Sequence, residues 1–397
     1  VKVREQSVGK MVTKDRTIFN RMFVVIMVIA FFNYNSSTML SITLPKYANE
    51  LGASAQAVGL LAGIFAMCAL LMRPFSGQIV DNENKLVMLR VCLSVILVSL
   101  FGLTVSDKYW MLLVFRGLNG FAWGVGSTLM MTLASSCFSA TNMATGIGIY
   151  GIGQTLARTV APMFAFPFAN RFGYNNLYYV NVALMTICLL LTFFLKIEYT
   201  PPQKRKYSIK LKDIVYFPAI LPASVILCNS VTKGSINAFL VIYALDMGIE
   251  NIGIYFTIQA ITVFAFRPLV SWLSDRFGTL KVLIPCELCI IVAMLVISSA
   301  QSVLYFIIAS ILMGLALAGE QPILMAECVK SAPSEKRGSA SNTSYIGVDV
   351  GVFIGSNIAG FFVAYAGYKN MFLGMTIPVI IATILYYVLV NKRKKHA

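Results

Sequence analysis

Twelve long apolar runs recur along this chain, and they constrain its fold more than any other feature. They cover residues 21–45, 55–79, 86–105, 109–135, 143–168, 176–196, 216–245, 252–274, 281–300, 302–328, 339–366 and 370–391. One helical crossing of a bilayer needs about 20 apolar residues. Inside lipid the backbone must satisfy its own hydrogen bonds, which a helix does. Only 12% of the 397 residues are charged, against about 25% in a soluble domain, and the mean hydropathy is +0.78. The runs predict an all-α membrane protein of twelve transmembrane helices joined by short loops.

A net charge of +16 raises the question of a nucleic-acid partner, and its distribution argues against one. If every run crosses, most Lys and Arg fall on one side. They lie in the N-terminal segment up to Arg21, the loop of Lys85 and Arg90, and residues 196–213. The rest of that side is the loop of Arg276 and Lys281, the loop of Lys330, Lys336 and Arg337, and the tail from Lys392 to Lys395. The other side holds Lys46, Lys108, Arg171 and Lys369. This is the positive-inside bias, and it predicts cytoplasmic termini. The eight cysteines sit in apolar runs or near their cytoplasmic ends, so no disulfide framework is expected. The first run continues as a full span with no cleavage pattern after it, so no signal peptide is expected. There is no phosphate-binding G-x-x-x-x-G-K-[ST] loop. The Cys286-Glu287-Leu288-Cys289 pair has no second pair or nearby His to complete a metal site. No cofactor, metal or enzymatic reaction is expected.

The chain also repeats itself. Arg73-Pro74 and Asp81 recur as Arg267-Pro268 and Asp275, 194 residues on, and Val58-Gly59-Leu60 recurs as Ile252-Gly253-Ile254 at the same offset. Gly173-Tyr174 matches Gly367-Tyr368, and Tyr47-Ala48 with Gly52 matches Tyr243-Ala244 with Gly248 after a slip of two. The expected organisation is a cytoplasmic segment 1–20, a six-helix bundle 21–196, a basic linker 197–215, a second bundle 216–391 and a basic tail 392–397. Paired six-helix repeats are a transporter plan, with the solute site near mid-membrane between them.

Several short motifs carry a family resemblance. Between helices 2 and 3 stands Gly77-Gln78-Ile79-Val80-Asp81-Asn82-Glu83-Asn84-Lys85, and its counterpart is Ser274-Asp275-Arg276-Phe277-Gly278 followed by Lys281. Helix 4 carries Arg116-Gly117-Leu118-Asn119-Gly120, and helix 5 runs from Gly153 to Ala161-Pro162. Together these resemble the major facilitator superfamily over essentially the whole chain, and its bacterial drug/metabolite:proton antiporter branch in particular. The first loop motif is degenerate, and Ala161 stands where that branch prefers Gly. The resemblance implies that helices 1, 4, 7 and 10 line a central cavity, that 2, 5, 8 and 11 flank it, and that 3, 6, 9 and 12 face outward. It also implies a gate built from Arg73, Gly77 and Asp81, with Arg267, Asp275 and Arg276 as pseudo-symmetric counterparts and Asp81 reaching helix 11.

An ionisable side chain within a span costs about 2.5–3.5 kcal/mol or more, so such residues mark function by default. Sorted by the implied fold, Arg116, Arg158 and Lys233 bring positive charge toward the cavity, and Glu320 and Asp349 bring negative charge. The two acids are the proton-coupling candidates, because a carboxyl in a dry cavity changes protonation when water or a cation approaches. A static ion pair with Lys233 or an Arg is the alternative for each. Glu287 stands six residues from Lys281 and is expected to reach the cytoplasmic interface in a structural role. Neutral solute-binding candidates are Asn33, Tyr34, Asn35, Asn119, Trp123, Gln154, Asn229, Asn237, Gln259 and Gln321, with Tyr150 and Phe239 as stacking surface. Helix–helix hydrogen bonding is the alternative for the polar ones.

The leading expectation is a secondary active transporter exporting a small amphipathic or anionic organic molecule in exchange for protons. An uptake symporter or exchanger of an organic anion is the alternative, favoured by the cavity cations. A membrane sensor on the same fold is the non-transport option, and no appended signalling domain supports it. The expected partners are the solute, protons and the lipid bilayer, with no nucleic acid. The chain is expected to act as a monomer, and its composition suggests a bacterial inner membrane.

Overall fold

In the computed structural model the described residues are 20–138, 143–195, 215–249, 251–332 and 337–395. The segment before Asn20, nearly all of the basic linker and the end of the tail lie outside them. The first half folds as α1 Arg21–Glu50, α2 Ala55–Asn82, α3 Lys85–Thr104, α4 Tyr109–Ser135, α5 Met143–Phe172 and α6 Tyr174–Leu191. The second folds as α7 Ile220–Asp246, α8 Gly253–Phe277, α9 Thr279–Ser298, α10 Val303–Lys330, α11 Arg337–Gly374 and α12 Thr376–Lys395. Helices of 30 residues, such as α1 and α5, are about 45 Å long, enough to cross a bilayer with its headgroups.

Local chemistry places the boundaries. Asn20 caps α1, its side chain accepting from Phe23 N at 2.8 Å, and Ser54 and Asn84 cap α2 and α3 in the same way. Tight reversals need a left-handed residue, which glycine supplies. The sequence repeat reappears here in the backbone. Gly52 and Gly248 have φ of 82° and 76°, and Gly173 and Gly367 have 85° and 78°. Gly278 takes the same conformation between α8 and α9, whereas its first-half equivalent, Asn84, is an ordinary cap.

Among the described residues nine stretches are long and apolar enough to cross a membrane. The last of them, Ala340–Val388, runs through the break at Gly367 and so covers two helices, and α4 and α5 fall outside the nine. Val98, Phe101, Ile187, Leu190, Ile381 and Ile384 are exposed along α3, α6 and α12. A soluble monomer rarely exposes apolar surface on that scale.

The bundles meet through α2 against α11, α5 against α8 and α1 against α7. Lys85, Lys281 and Lys330 mark one face of the molecule, called the basic face below. The closest seams lie toward the opposite face. A Cβ on Gly63 would sit 2.6 Å from Ser356 Oγ, and one on Gly360 would sit 2.7 Å from the Ala55 carbonyl oxygen. Phe166 stacks on Phe256 at 5.6 Å. The central cavity lies between these seams and the basic face.

Candidate functional site

The cavity has a volume of about 370 Å³ and takes its walls from both halves. Six charged side chains stand in its largely apolar walls. Arg73, Arg116 and Arg158 come from the first bundle, and Lys233, Arg267 and Asp349 from the second. Tyr34, Trp123, Asn237, Gln259 and Gln321 supply neutral walls. The Tyr34 and Trp123 rings meet edge to face at 4.8 Å.

Two of the cations are paired. Arg73 Nε donates to Asp349 Oδ2 at 2.8 Å, joining α2 to α11 and so one bundle to the other. Arg73 Nη1 reaches Ser127 Oγ at 3.3 Å, and the guanidinium stacks on Tyr345 at 4.9 Å. Lys233 Nζ lies 2.9 Å from Glu320 Oε2 and 3.4 Å from Gln321 Oε1. The static-pair alternative describes both proton-coupling candidates in this conformation. A paired carboxylate still titrates if its partner moves.

The other three cations have no carboxylate partner among the described residues. Arg116 donates to Ser41 Oγ at 2.8 Å and stacks on Phe65 at 4.1 Å. Arg158 lies 5.2 Å from the Tyr34 ring centre. Arg267 donates through Nη1 to Thr155 Oγ1. Thr155 and Arg158 are three apart on α5, which puts Arg158 and Arg267 on facing surfaces. Guanidinium is weakly hydrated and presents a planar fork to carboxylate or phosphate. Three of them around one cavity make a local environment suited to anions.

Seven of the neutral and aromatic candidates lie outside the cavity walls, Asn229 among them. Asn33 faces Met130 Sδ at 3.6 Å, and Asn35 donates to the Ala157 carbonyl at 3.0 Å, tying α1 to α5. Asn119 donates to Ser99 Oγ at 3.1 Å and accepts from Arg116 at 3.5 Å. Tyr150 and Phe239 are buried in the core, Phe239 against Tyr368. Gln154 is half-buried on α5. Each sits at cavity depth on its helix, but helix packing turns these side chains toward neighbouring helices.

For the gate, Arg73 forms the cross-bundle link itself, and Arg267 lines the cavity. Gly77 faces open space, with nothing within 4 Å of where a Cβ would stand. Arg276 is exposed and stacks on Trp272 and Phe277 at 5.2 and 5.5 Å. The side chains of Asp81 and Asp275 lie outside the described residues.

The largest departure from expectation is Glu287. Its distance from Lys281 suggested an interfacial residue, but it is 0% exposed. Asn229 Nδ2 donates both to Glu287 Oε1 at 2.8 Å and to Glu320 Oε1 at 2.9 Å. Sequence spacing fixed the depth of Glu287, whereas the rotation of α9 decides that it faces α7 and α10.

Comparison with known proteins agrees with this architecture. The chain matches the Major Facilitator Superfamily over residues 26–222 and 222–397. It is 24% identical over 375 residues to the staphylopine export protein of Staphylococcus aureus, covering 89% of this chain and 92% of that one. It is 23% identical over 370 residues to multidrug resistance protein MdtG of Klebsiella pneumoniae, covering 88% of each. Among solved structures, the nucleoside transporter NupG superposes with a TM-score of 0.74 at 14% identity, covering 94% of this chain and 99% of that one. A bacterial homolog of the human lysosomal transporter Spinster, inward-facing and unoccupied, gives 0.76 at 13% identity, covering 94% and 97%. These two likenesses establish the fold. With paired bundles, a charged cavity between them and a family match along nearly the whole chain, the protein is a transporter rather than an enzyme and belongs to the major facilitator superfamily.

Proposed function

We propose that this protein exports a small organic molecule carrying an anionic group, by alternating access and in exchange for protons. All twelve helices cross a bacterial cytoplasmic membrane in this reading, with the basic face and both termini inside, and a single chain suffices. The observation that carries the solute class is the set of three cavity guanidiniums, Arg116, Arg158 and Arg267, with no acid partner among the described residues. Export is supported by the names of the two relatives, one an export protein and the other a multidrug resistance protein.

Asp349 is the cavity-lining acid, and its partner Arg73 belongs to the other bundle. Protonating Asp349 removes the charge that holds α2 to α11. A proton then favours one conformation and a solute the other, and that antagonism is antiport. The closed seam on the face opposite the basic one fits a cavity that loads from inside.

A second reading, co-transport of anion and proton, is favoured by one observation. Glu320 is paired with a cavity cation, as Asp349 is. Neutralising either acid frees a cation for an anion, which makes proton and anion bind together. Flux measured in liposomes under imposed pH gradients of either sign separates the two. Antiport requires solute to move against the proton flow, and solute moving with it would replace the first reading by the second.

A further inference from the structure

Behind the cavity wall lies a second group of ionisable side chains that cavity geometry alone does not explain. Asn229 and Lys233 are one turn apart on α7 and share a face. Asn229 has spent both amide protons, one on Glu287 and one on Glu320. Two oxygens bonded by one nitrogen at 2.8 and 2.9 Å are less than about 6 Å apart. Both carboxyls are 0% exposed. Glu320 is fully engaged, with Asn229 on one oxygen and Lys233 on the other. Glu287 is not. Its Oε2 is buried and meets no hydrogen-bond partner among the described residues, and the same holds for Asn229 Oδ1.

The charges do not balance if both acids are ionised. Among the described residues Lys233 is the one cation in contact, and it pairs with Glu320. Among the described residues the other titratable groups nearby are the thiols of Cys228 on α7 and of Cys286 and Cys289 on α9. α8 contributes Val270 beside Cys286. α11 and α12 contribute Val348 and Tyr386 to the apolar cluster around Leu283, one turn from Glu287. A bare carboxylate oxygen in such surroundings is among the most unfavourable groups a protein can bury. A single proton on it removes the excess charge and turns a bare acceptor into a donor.

We propose that Glu287 and Glu320 form a two-carboxyl proton site that holds one proton, on Glu287, while Lys233 is paired with Glu320, and takes up a second when Lys233 leaves. The step balances simply. The Lys233 ammonium moves from Glu320 Oε2 to an anionic group in the cavity, and a proton from cavity water binds the Glu320 carboxylate that it leaves. Lys233 is the connection between the two compartments, because it lines the cavity and its side chain is 20% exposed while Glu320 is 0%. Glu287 acts as a positioning residue. As a neutral acid it leaves Lys233 to Glu320 alone, so the pair changes by one proton and not two. The step binds proton and anion together, so its use in transport rests on the co-transport reading above, but the site itself is testable without any solute.

The test is infrared spectroscopy of the solute-free, full-length protein in lipid nanodiscs at about pH 8, well above the ordinary carboxylate range. The wild type should show a protonated carboxylic-acid carbonyl band that shifts in heavy water. Glu287→Asp should move that band, Glu287→Gln should abolish it, and Asp349→Asn should leave it in place. Lys233→Gln should add a second acid band, and adding Glu320→Gln should remove that second band again. No acid band in the wild type, or one that survives Glu287→Gln, overturns the assignment. A Lys233→Gln protein without a second band overturns the control by Lys233. Because the wild-type spectrum is read first, a variant that fails to fold does not leave the proposal undecided. Liposome flux in which solute does not move with the proton flow, alongside the expected bands, would overturn the co-transport use of the site and leave the acid assignment standing.

Discussion

Replacing Asp349 with Asn should loosen the join between the bundles. The Arg73–Asp349 contact is 2.8 Å long between side chains 4% and 11% exposed. At that distance, in an effective dielectric of about 20, the gross Coulomb attraction is about 6 kcal/mol. Desolvation of two buried charges offsets much of it, and a charge-assisted hydrogen bond retains a net of about 1.5–3 kcal/mol. If that net energy is lost only in conformations where α2 and α11 separate, Asp349→Asn shifts the equilibrium toward separation by about 10- to 150-fold. The seam at Gly63 and Gly360 should report it, since it joins the same two helices farther from the basic face. Hydrogen–deuterium exchange at the seam ends of α2 and α11 should speed up by that factor. The single variant also leaves Arg73 buried, with Ser127 and the Tyr345 ring as its remaining contacts, which adds a penalty of its own. Arg73→Gln combined with Asp349→Asn should therefore exchange more slowly than Asp349→Asn alone. Unchanged exchange in the single variant, or a double variant more open than the single, would refute the reasoning.

Three further outcomes are expected. Arg158→Gln should weaken binding of an anionic solute by about 10- to 100-fold, the scale of one charged hydrogen bond, and Arg158→Lys should recover only part of it; equal affinity in titration calorimetry would remove Arg158 from the site. Gly360→Val should wedge α2 from α11, because even a Cβ there would sit 2.7 Å from the Ala55 carbonyl oxygen. Overpacking of this kind costs about 1–3 kcal/mol, and it should appear as cavity labelling by a membrane-impermeant reagent added on the seam side, with expression retained. Lys233→Gln should reduce anion affinity less than Arg158→Gln, since Lys233 must first leave Glu320; the reverse order in the same titration would mean that Lys233 is free in solution.

Much of the architecture was legible in the residues because membrane physics leaves few options. Apolar runs of span length predict helices, and the structure has a helix at every one. The 194-residue repeat is visible as Arg-Pro and Gly-Tyr pairs, and the same glycines turn the chain with matching positive φ. Arg116, Arg158 and Lys233 were placed toward the cavity from their position within spans, because a cation there must face something other than lipid, whereas Arg73 and Arg267, assigned to the gate, also line it. Polar residues of moderate cost were not legible in this way. Asn35 and Asn119 look like solute ligands in sequence but spend their donors on the Ala157 carbonyl and Ser99. A neutral amide is equally satisfied by solute, backbone or side chain, so its presence at cavity depth does not say which it meets.

Sequence determined the apolar helical runs, the depth of each residue along its helix and which charged side chains fall within the runs. Rotation about each helix axis was decided only by packing, because a helix 10–12 Å across can present any side to its neighbours at the same depth. That rotation brings Arg73 to Asp349 across the bundle interface and sets Arg158 facing Arg267. It also turns Glu287, which by spacing alone belonged near the basic face, inward to share one amide with Glu320.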